Sequence, residues 1–296
     1  MTPIRAIGLS KRFRKVRALE DLELEVPQGA VYALVGANGA GKTTAIKTLM
    51  NIHAPSAGRA EVLGRDSRRL GPAEFARIGY VSENQQMPEW MRVGDYLDFC
   101  RPFYPRWDAG ALVHQFQLPL DRKLGQLSRG MRMKAALVSS LAYGPELIVL
   151  DEPFTGLDAL VRDELIEGLL ERIEGAAVLI SSHDLAEVET FASHAGYLEN
   201  GRLRFSEEMD SLGARFREVT VTLGAAQSAE WPAEWLNPEW SGPVVRFVDS
   251  RYESERTAER LRAMFADIRE IEAEAMPLRA IFVALAKAAR PGGARE

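Results

Sequence analysis

Val31-Tyr32-Ala33-Leu34-Val35-Gly36-Ala37-Asn38-Gly39-Ala40-Gly41-Lys42-Thr43-Thr44 is the stretch that decides the fold. Its first five residues form an apolar run, read as a buried parallel strand. Gly36 to Thr43 fits the pattern Gly-x-x-x-x-Gly-Lys-[Ser/Thr]. Good helix formers follow from Thr43 to Met50 at amphipathic spacing. Strand, glycine loop and helix are the setting in which successive backbone N–H groups curve around a triphosphate. The helix N-terminus adds positive potential. Within this loop, Gly36, Asn38, Gly39, Ala40, Gly41 and Thr44 are expected to surround phosphate. Lys42 is expected to reach the β- and γ-phosphates, and Thr43 to place its hydroxyl on magnesium.

A second apolar run, Leu147-Ile148-Val149-Leu150, ends in Asp151-Glu152. Two acids beside a triphosphate repel it unless a cation lies between them, and magnesium fits that need. Asp151 is the natural metal partner, and Glu152 can orient and deprotonate a water. Leu127-Ser128-Arg129-Gly130-Met131 precedes a helix expected over Arg132 to Tyr143. Ser128 there is either an anion-site hydroxyl or a plain N-cap.

The chain has 296 residues, 46% of them hydrophobic, which is enough for one large core and a small second one. Its net charge of -5 gives no support for non-specific nucleic-acid binding. The basic run Lys11-Arg12-Phe13-Arg14-Lys15-Val16-Arg17 is local. Cys100 is the single cysteine, so neither a disulfide framework nor a cysteine metal site is expected. Met1-Thr2-Pro3-Ile4-Arg5 lacks the apolar core of a signal peptide. No apolar run approaches the ~20 residues that span a bilayer.

Along the chain, Ile4 to Val26 reads as short strands joined by a basic loop, and Pro27-Gln28-Gly29 as a turn. Ala60 to Leu63 and Ile78 to Val81 read as strands. Residues 87–145 form a mainly helical subdomain, broken at Pro102, Pro105 and Pro119. Leu160 to Ile173 reads as a helix and Ala177 to Ile180 as a buried strand. This alternation predicts a parallel sheet covered on both faces. The expected division is a nucleotide-binding domain over 1–215, a small α+β domain over 216–290 and a disordered tail over 291–296. In the small domain, strands are expected at 217–223, 244–248 and 268–275, with helices at 253–265 and 278–289.

The order of the phosphate loop, Leu127-Ser128-Arg129-Gly130-Met131, Asp151-Glu152 and Ser182-His183-Asp184 resembles the nucleotide-binding subunit of ABC transporters. The resemblance covers roughly residues 4 to 210. It implies an α/β P-loop NTPase cassette with a RecA-like core and a helical subdomain. It also implies an ATPase with ATP and Mg2+ as cofactors. Leu127 to Met131 stands where the family has its signature Leu-Ser-Gly-Gly-Gln, with Arg129 and Met131 as departures. Thr155-Gly156-Leu157-Asp158 resembles the D-loop, and Asp158 is carried over with it. His183 matches the switch histidine that meets the γ-phosphate. Phe13 stands where the family stacks an aromatic ring on adenine. Glu83 occupies the Q-loop position beside magnesium in place of glutamine, with Gln85 and Gln86 as alternatives.

The resemblance further implies ATP held between two cassettes, identical or different, with Ser128 and Gly130 facing the partner's site. A transmembrane permease subunit is the expected second partner, and nucleic acid is not. The chain is expected to be peripheral on the cytoplasmic face of the membrane. The variations resemble ABC-2-type and bacterial drug or peptide exporters. The rival reading is a soluble ABC ATPase of translation or DNA repair; such proteins usually carry two cassettes or a long coiled coil. A cassette that only binds nucleotide is opposed by Lys42, Asp151, Glu152 and His183. Met87 to Met91 and Tyr96 to Trp107 are rich in aromatic and methionine residues. Most of these are expected to be buried in the helical subdomain, the rest to suit a groove for a permease helix. Trp231, Trp235 and Trp240 lie in a proline-interrupted stretch read as a loop that caps the small domain or meets a partner. His53, His114 and His194 show no metal-binding spacing.

Overall fold

The computed structural model describes residues 2–173, 175–225 and 231–288. The expected tail over 291–296 and the last residue of the 278–289 helix lie outside them. The chain divides into two compact units, Met1–Ser206 and Glu207–Glu296.

In the first unit the elements are β1 (Ile4–Phe13), β2 (Val16–Val26), β3 (Val31–Val35), α1 (Lys42–Leu49), β4 (Ala57–Val62), β5 (Arg65–Asp66), α2 (Pro72–Phe75) and β6 (Ile78–Ser82). They continue as α3 (Val93–Cys100), α4 (Gly110–Gln115), α5 (Arg129–Leu141), β7 (Leu147–Asp151), α6 (Ala159–Leu170), β8 (Ala177–Ser182), β9 (His194–Glu199) and β10 (Arg202–Glu208). One sheet runs β2-β1-β4-β5 and the other β10-β9-β3-β8-β7-β6. The pairings β6–β7, β7–β8, β8–β3 and β3–β9 are all parallel. Every residue of β3, β7 and β8 is buried, which is why these strands read as unbroken apolar runs. α1 packs against β7, β2 and β4. Its Ala45, Ile46 and Leu49 join a core with Ile4, Leu22, Leu34, Val62, Val149 and Leu179.

The parallel register brings strand ends together. Ser82 pairs with Asp151, Asp151 with Ser181, and Val35 with Ser182. Chain segments leaving this carboxyl edge surround one crevice, the usual place for a ligand in such a sheet.

Three sequence expectations change in this unit. Ile4 to Val26 is a hairpin of two long strands, not short strands with a basic loop; Phe13 pairs with Val16 and the turn is Arg14-Lys15. Lys11, Arg12 and Arg17 occupy outward strand positions, so their charge mimics a loop. The 132–143 helix starts at Arg129, directly after its cap. The aromatic residues of 87–107 are mostly not buried: Trp90, Phe99 and Phe103 are exposed, and the buried residues of α3 are Val93 and Leu97. Tyr104 is held instead by stacking on Tyr143 and Trp107.

The second unit contains α7 (Met209–Arg215), β11 (Arg217–Leu223), β12 (Trp235–Ser241), β13 (Val244–Asp249), α8 (Ser254–Met264), β14 (Ile268–Ala275) and α9 (Leu278–Ala288). The antiparallel sheet runs β12-β13-β11-β14. The boundary falls earlier than 215 because Arg215 pairs with Glu207, and its carbonyl accepts from the Tyr252 N–H at 2.9 Å. The tryptophan stretch is largely a strand rather than a loop. Pro238 fits because β12 is an edge strand whose register shifts between Leu236 and Glu239. Trp235 stacks on Phe247 at 4.5 Å between ring centres, and Trp231 packs on both. Two of the three tryptophans therefore serve this unit's core.

Candidate functional site

The phosphate loop joins β3 to α1 and is tied to the neighbouring strand by the Gly36 N–H, which donates to the Ser182 carbonyl at 3.2 Å. Asn38, Gly39, Gly41, Lys42, Thr43 and Thr44 line a cavity of about 400 Å³. Gly39 and Gly41 have φ of 83° and 112°, the left-handed region that favours glycine. Gly36 and Ala40 do not line the cavity. Ala40 is buried, and its N–H is spent on the Ala37 carbonyl at 3.0 Å, so it shapes the loop from behind.

Lys42 is 5% exposed, and its ammonium donates to the Gly36 carbonyl at 2.5 Å and the Ala37 carbonyl at 3.2 Å. It also pairs with Glu152 at 3.0 Å. The other Glu152 oxygen accepts from His183 Nδ1 at 2.7 Å and from the Thr155 hydroxyl at 3.0 Å. Glu152 sits at φ 51°, a costly conformation for a non-glycine residue, just past the last strand residue. Its N–H is held by the Ser181 hydroxyl at 3.0 Å. Burial alone would raise the Glu152 carboxyl, but His183, Lys42 and Thr155 together hold it below the usual range. Hydrogen bonding to Glu152 raises His183.

Those opposite shifts give a sign for pH. The charged His183–Glu152 bond is complete below the ordinary histidine value and fades as pH rises through the raised one. At the acid end it fades as pH falls through the lowered Glu152 value. His183→Ala should therefore cost more melting temperature at pH 6 than at pH 9. A pH-independent gap in thermal melts would show that the imidazole carries no charge in this bond.

Asp151 is 2% exposed, and one of its oxygens accepts from the Thr43 hydroxyl at 3.1 Å and the Ser181 hydroxyl at 2.7 Å. Burial raises its carboxyl, against those two hydrogen bonds. Among the described residues no cluster of three or more His, Cys, Asp or Glu could cage a metal. A hydroxyl and one carboxylate, both oxygen donors, fit magnesium, which keeps waters and phosphate oxygens as its remaining ligands.

Glu83 lines the same cavity. Gln85 and Gln86 do not; the Gln85 side chain turns back to accept from the Ser82 N–H at 3.2 Å. Phe13 is not brought to the cavity wall. Its ring packs edge-on against His53 at 5.2 Å, with the Lys11 ammonium over it, while Val16, Arg17 and Ala18 across the hairpin line the site. Ser128, Gly130 and Asp158 also lie outside it. Ser128 caps α5, accepting from the Met131 N–H at 3.2 Å, and Asp158 caps α6, accepting from the Val161 N–H at 3.0 Å. Gly130 is needed for packing, since a Cβ there would stand 2.8 Å from the Val161 side chain. The sequence alone does not single out Ser181, and it marks Thr155 only as part of the D-loop, not as a partner of Glu152.

A phosphate loop whose lysine, paired acids and histidine converge at the carboxyl edge of a parallel sheet defines a P-loop ATPase. A family model described as "ABC transporter" matches residues 19–155. The daunorubicin resistance ATP-binding protein DrrA2 of Streptomyces coeruleorubidus is 32% identical over 89% of this chain and 83% of its own length. The sulfate/thiosulfate import ATP-binding protein CysA of Yersinia pseudotuberculosis is 30% identical over 81% of this chain and 74% of its own. A solved ATP-binding subunit of an ABC transporter superposes with a TM-score of 0.66 at 28% identity, over 72% of this chain and 92% of that one. The chain belongs to the ABC transporter family of ATP-binding proteins, and it is an ATPase. No described helix is long and apolar enough to cross a membrane.

Proposed function

We propose that this chain hydrolyses ATP as one half of a cassette dimer and powers a membrane-embedded ABC exporter. The observation that carries this reading is the Lys42–Glu152–His183 cluster at the mouth of the phosphate loop. An arriving triphosphate offers Lys42 a stronger acceptor than Glu152. Once released, the Glu152 carboxylate is free to take a proton from water, with His183 still holding its other oxygen. Thr43 and Asp151 would hold magnesium, which supplies neutralisation of phosphate charge. Val16, Arg17 and Ala18 are assigned the base end of the nucleotide in place of Phe13. Ser128 and the N-terminus of α5 lie away from their own chain's cavity, which supports their service to a second cassette's site.

The permease is assigned to a groove of about 550 Å³ lined by Glu83, Gln85, Met87, Leu127, Arg132 and Met133. Glu83 lines both groove and cavity, and such sharing would let a permease helix sense the nucleotide. Trp90 is 74% exposed and Phe103 67%, unusual for such large apolar side chains. Export is supported by the drug-resistance relative, whose match spans more of the chain than that of the import relative. The cassette is assigned to the first unit; the second unit is read as an accessory domain.

The test is isolation of the tagged chain from detergent-solubilised membranes. An integral membrane protein should co-purify, and inside-out vesicles holding the complex should accumulate solute only with ATP. Trp90→Ser with Phe103→Ser should reduce that co-isolation at least about tenfold, as loss of two aromatic anchors does, with ATP binding retained. Recovery with ribosomes or DNA-repair complexes would overturn this reading in favour of the soluble rival.

A further inference from the structure

Arg129 and Glu83 both put charge where the resembled pattern has an uncharged residue, and the structure brings them together. Arg129 Nη2 lies 3.7 Å from Glu83 Oε1. The same guanidinium lies over Gly156: a Cβ added there would stand 2.9 Å from Arg129 Nη1. Gly156 has φ 71°, so its bare backbone serves both the turn and the arginine's seat. Arg129 is the first residue of α5, immediately after the Ser128 cap. It thus touches two segments far away in sequence, one preceding α6 and one following β6.

A half-exposed pair at this distance adds little stability, so its value is in placement. Glu83 shares the cavity wall with Glu152. An uncompensated carboxylate there repels a triphosphate. No other cation is within ion-pair distance of Glu83 among the described residues.

We propose that Arg129 is a positioning residue for Glu83: seated on Gly156, it holds the Glu83 carboxylate at the seam of cavity and groove and offsets its charge. Two departures from the family pattern are then one compensated unit. This rests on the reading of the cavity as an ATP site.

The test is a double-mutant cycle on the full chain, with affinity for a fluorescent ATP analogue measured with and without magnesium. Arg129→Met should weaken binding by roughly fivefold, within the usual range for coupled neighbours. In a Glu83→Gln background the same Arg129→Met change should cost much less, because no carboxylate is left there to offset. The Arg129→Met loss should shrink in 1 M salt, as screening predicts; a packing defect would not respond to salt. Arg129→Lys should retain most of the affinity. If Arg129→Met fails to fold, the swap Arg129→Glu with Glu83→Arg replaces it, and it should bind better than Arg129→Glu alone. Additive effects in either cycle overturn the proposal while leaving the ATP site intact. An unmutated chain that binds no ATP analogue overturns the ATP site itself.

Discussion

Glu152→Gln is expected to lower ATP turnover by at least about a hundredfold, within the usual range for a lost general base. It should also raise affinity for ATP. The substitution keeps shape, so the Thr155 hydroxyl and the Ser181-held backbone should stay in place. It removes the negative charge that Lys42 pairs with at 3.0 Å. In the parent, triphosphate and Glu152 compete for that ammonium; in the variant, the competitor is neutral. ATP should then be bound and not consumed, and a two-cassette species should accumulate. Light scattering after gel filtration in ATP and magnesium measures the dimer, and phosphate release measures turnover. Turnover within twofold of the parent would remove Glu152 from the role of base. Loss of turnover with weakened ATP binding would mean that Glu152 chiefly organises the loop through Lys42.

What was legible in the sequence follows from burial. β3, β7 and β8 are buried on both faces, so composition alone marks them. The phosphate loop was legible because few residue types can line a tight anion cradle. β1 and β2 were blurred because the turn end of their hairpin is solvent-facing, has a register shift between Lys11 and Arg12, and carries the charges of Lys11, Arg12 and Arg17. β9 and β10 were not anticipated. β9 contains His194 and Gly196, poor strand signals, yet a Cβ on Gly196 would lie 2.2 Å from the Tyr32 hydroxyl. The glycine that weakens the strand pattern is the one the packing demands.

The site shows the same limit. Asp151 and Glu152 announce themselves as charges ending an apolar run. Ser181 does not, because its role depends on β8 lying parallel to β7 with Ser181 opposite Asp151. A hydroxyl at an inward position of a strand is the only signal, and register is needed to use it. Phe13 differs in another way: its position suits ring stacking, but here its ring meets His53 edge-on with the Lys11 ammonium over it, and Val16, Arg17 and Ala18 line the cavity instead.

Gly36→Ala should damage the loop severely, and through space alone. Gly36 is not at positive φ, so its need is spatial: a Cβ would meet the Leu198 carbonyl oxygen at 2.2 Å. That neighbour is backbone of β9, paired in register with β3, and it cannot rotate away as a side chain would. Relief requires moving the loop. The Gly36 N–H would leave the Ser182 carbonyl, and the Gly36 carbonyl would leave Lys42. Overpacking of this kind costs about 3 kcal/mol, or ~6–12 °C of melting temperature for a unit of this size. ATP affinity should fall more than about tenfold because Lys42 is displaced, a loss of about 1.4 kcal/mol or more. Gly29→Ala is the matched comparison. Gly29 has φ 72° with no atom within 4 Å of an added Cβ, so only left-handed strain of about 1 kcal/mol applies. Its turn lies before β3 and outside the cavity, so melting should drop slightly and ATP affinity should hold. Equal melting and equal affinity for the two variants would show that β9 yields to the methyl group, and that the first glycine of the loop is not set by its approach to Leu198.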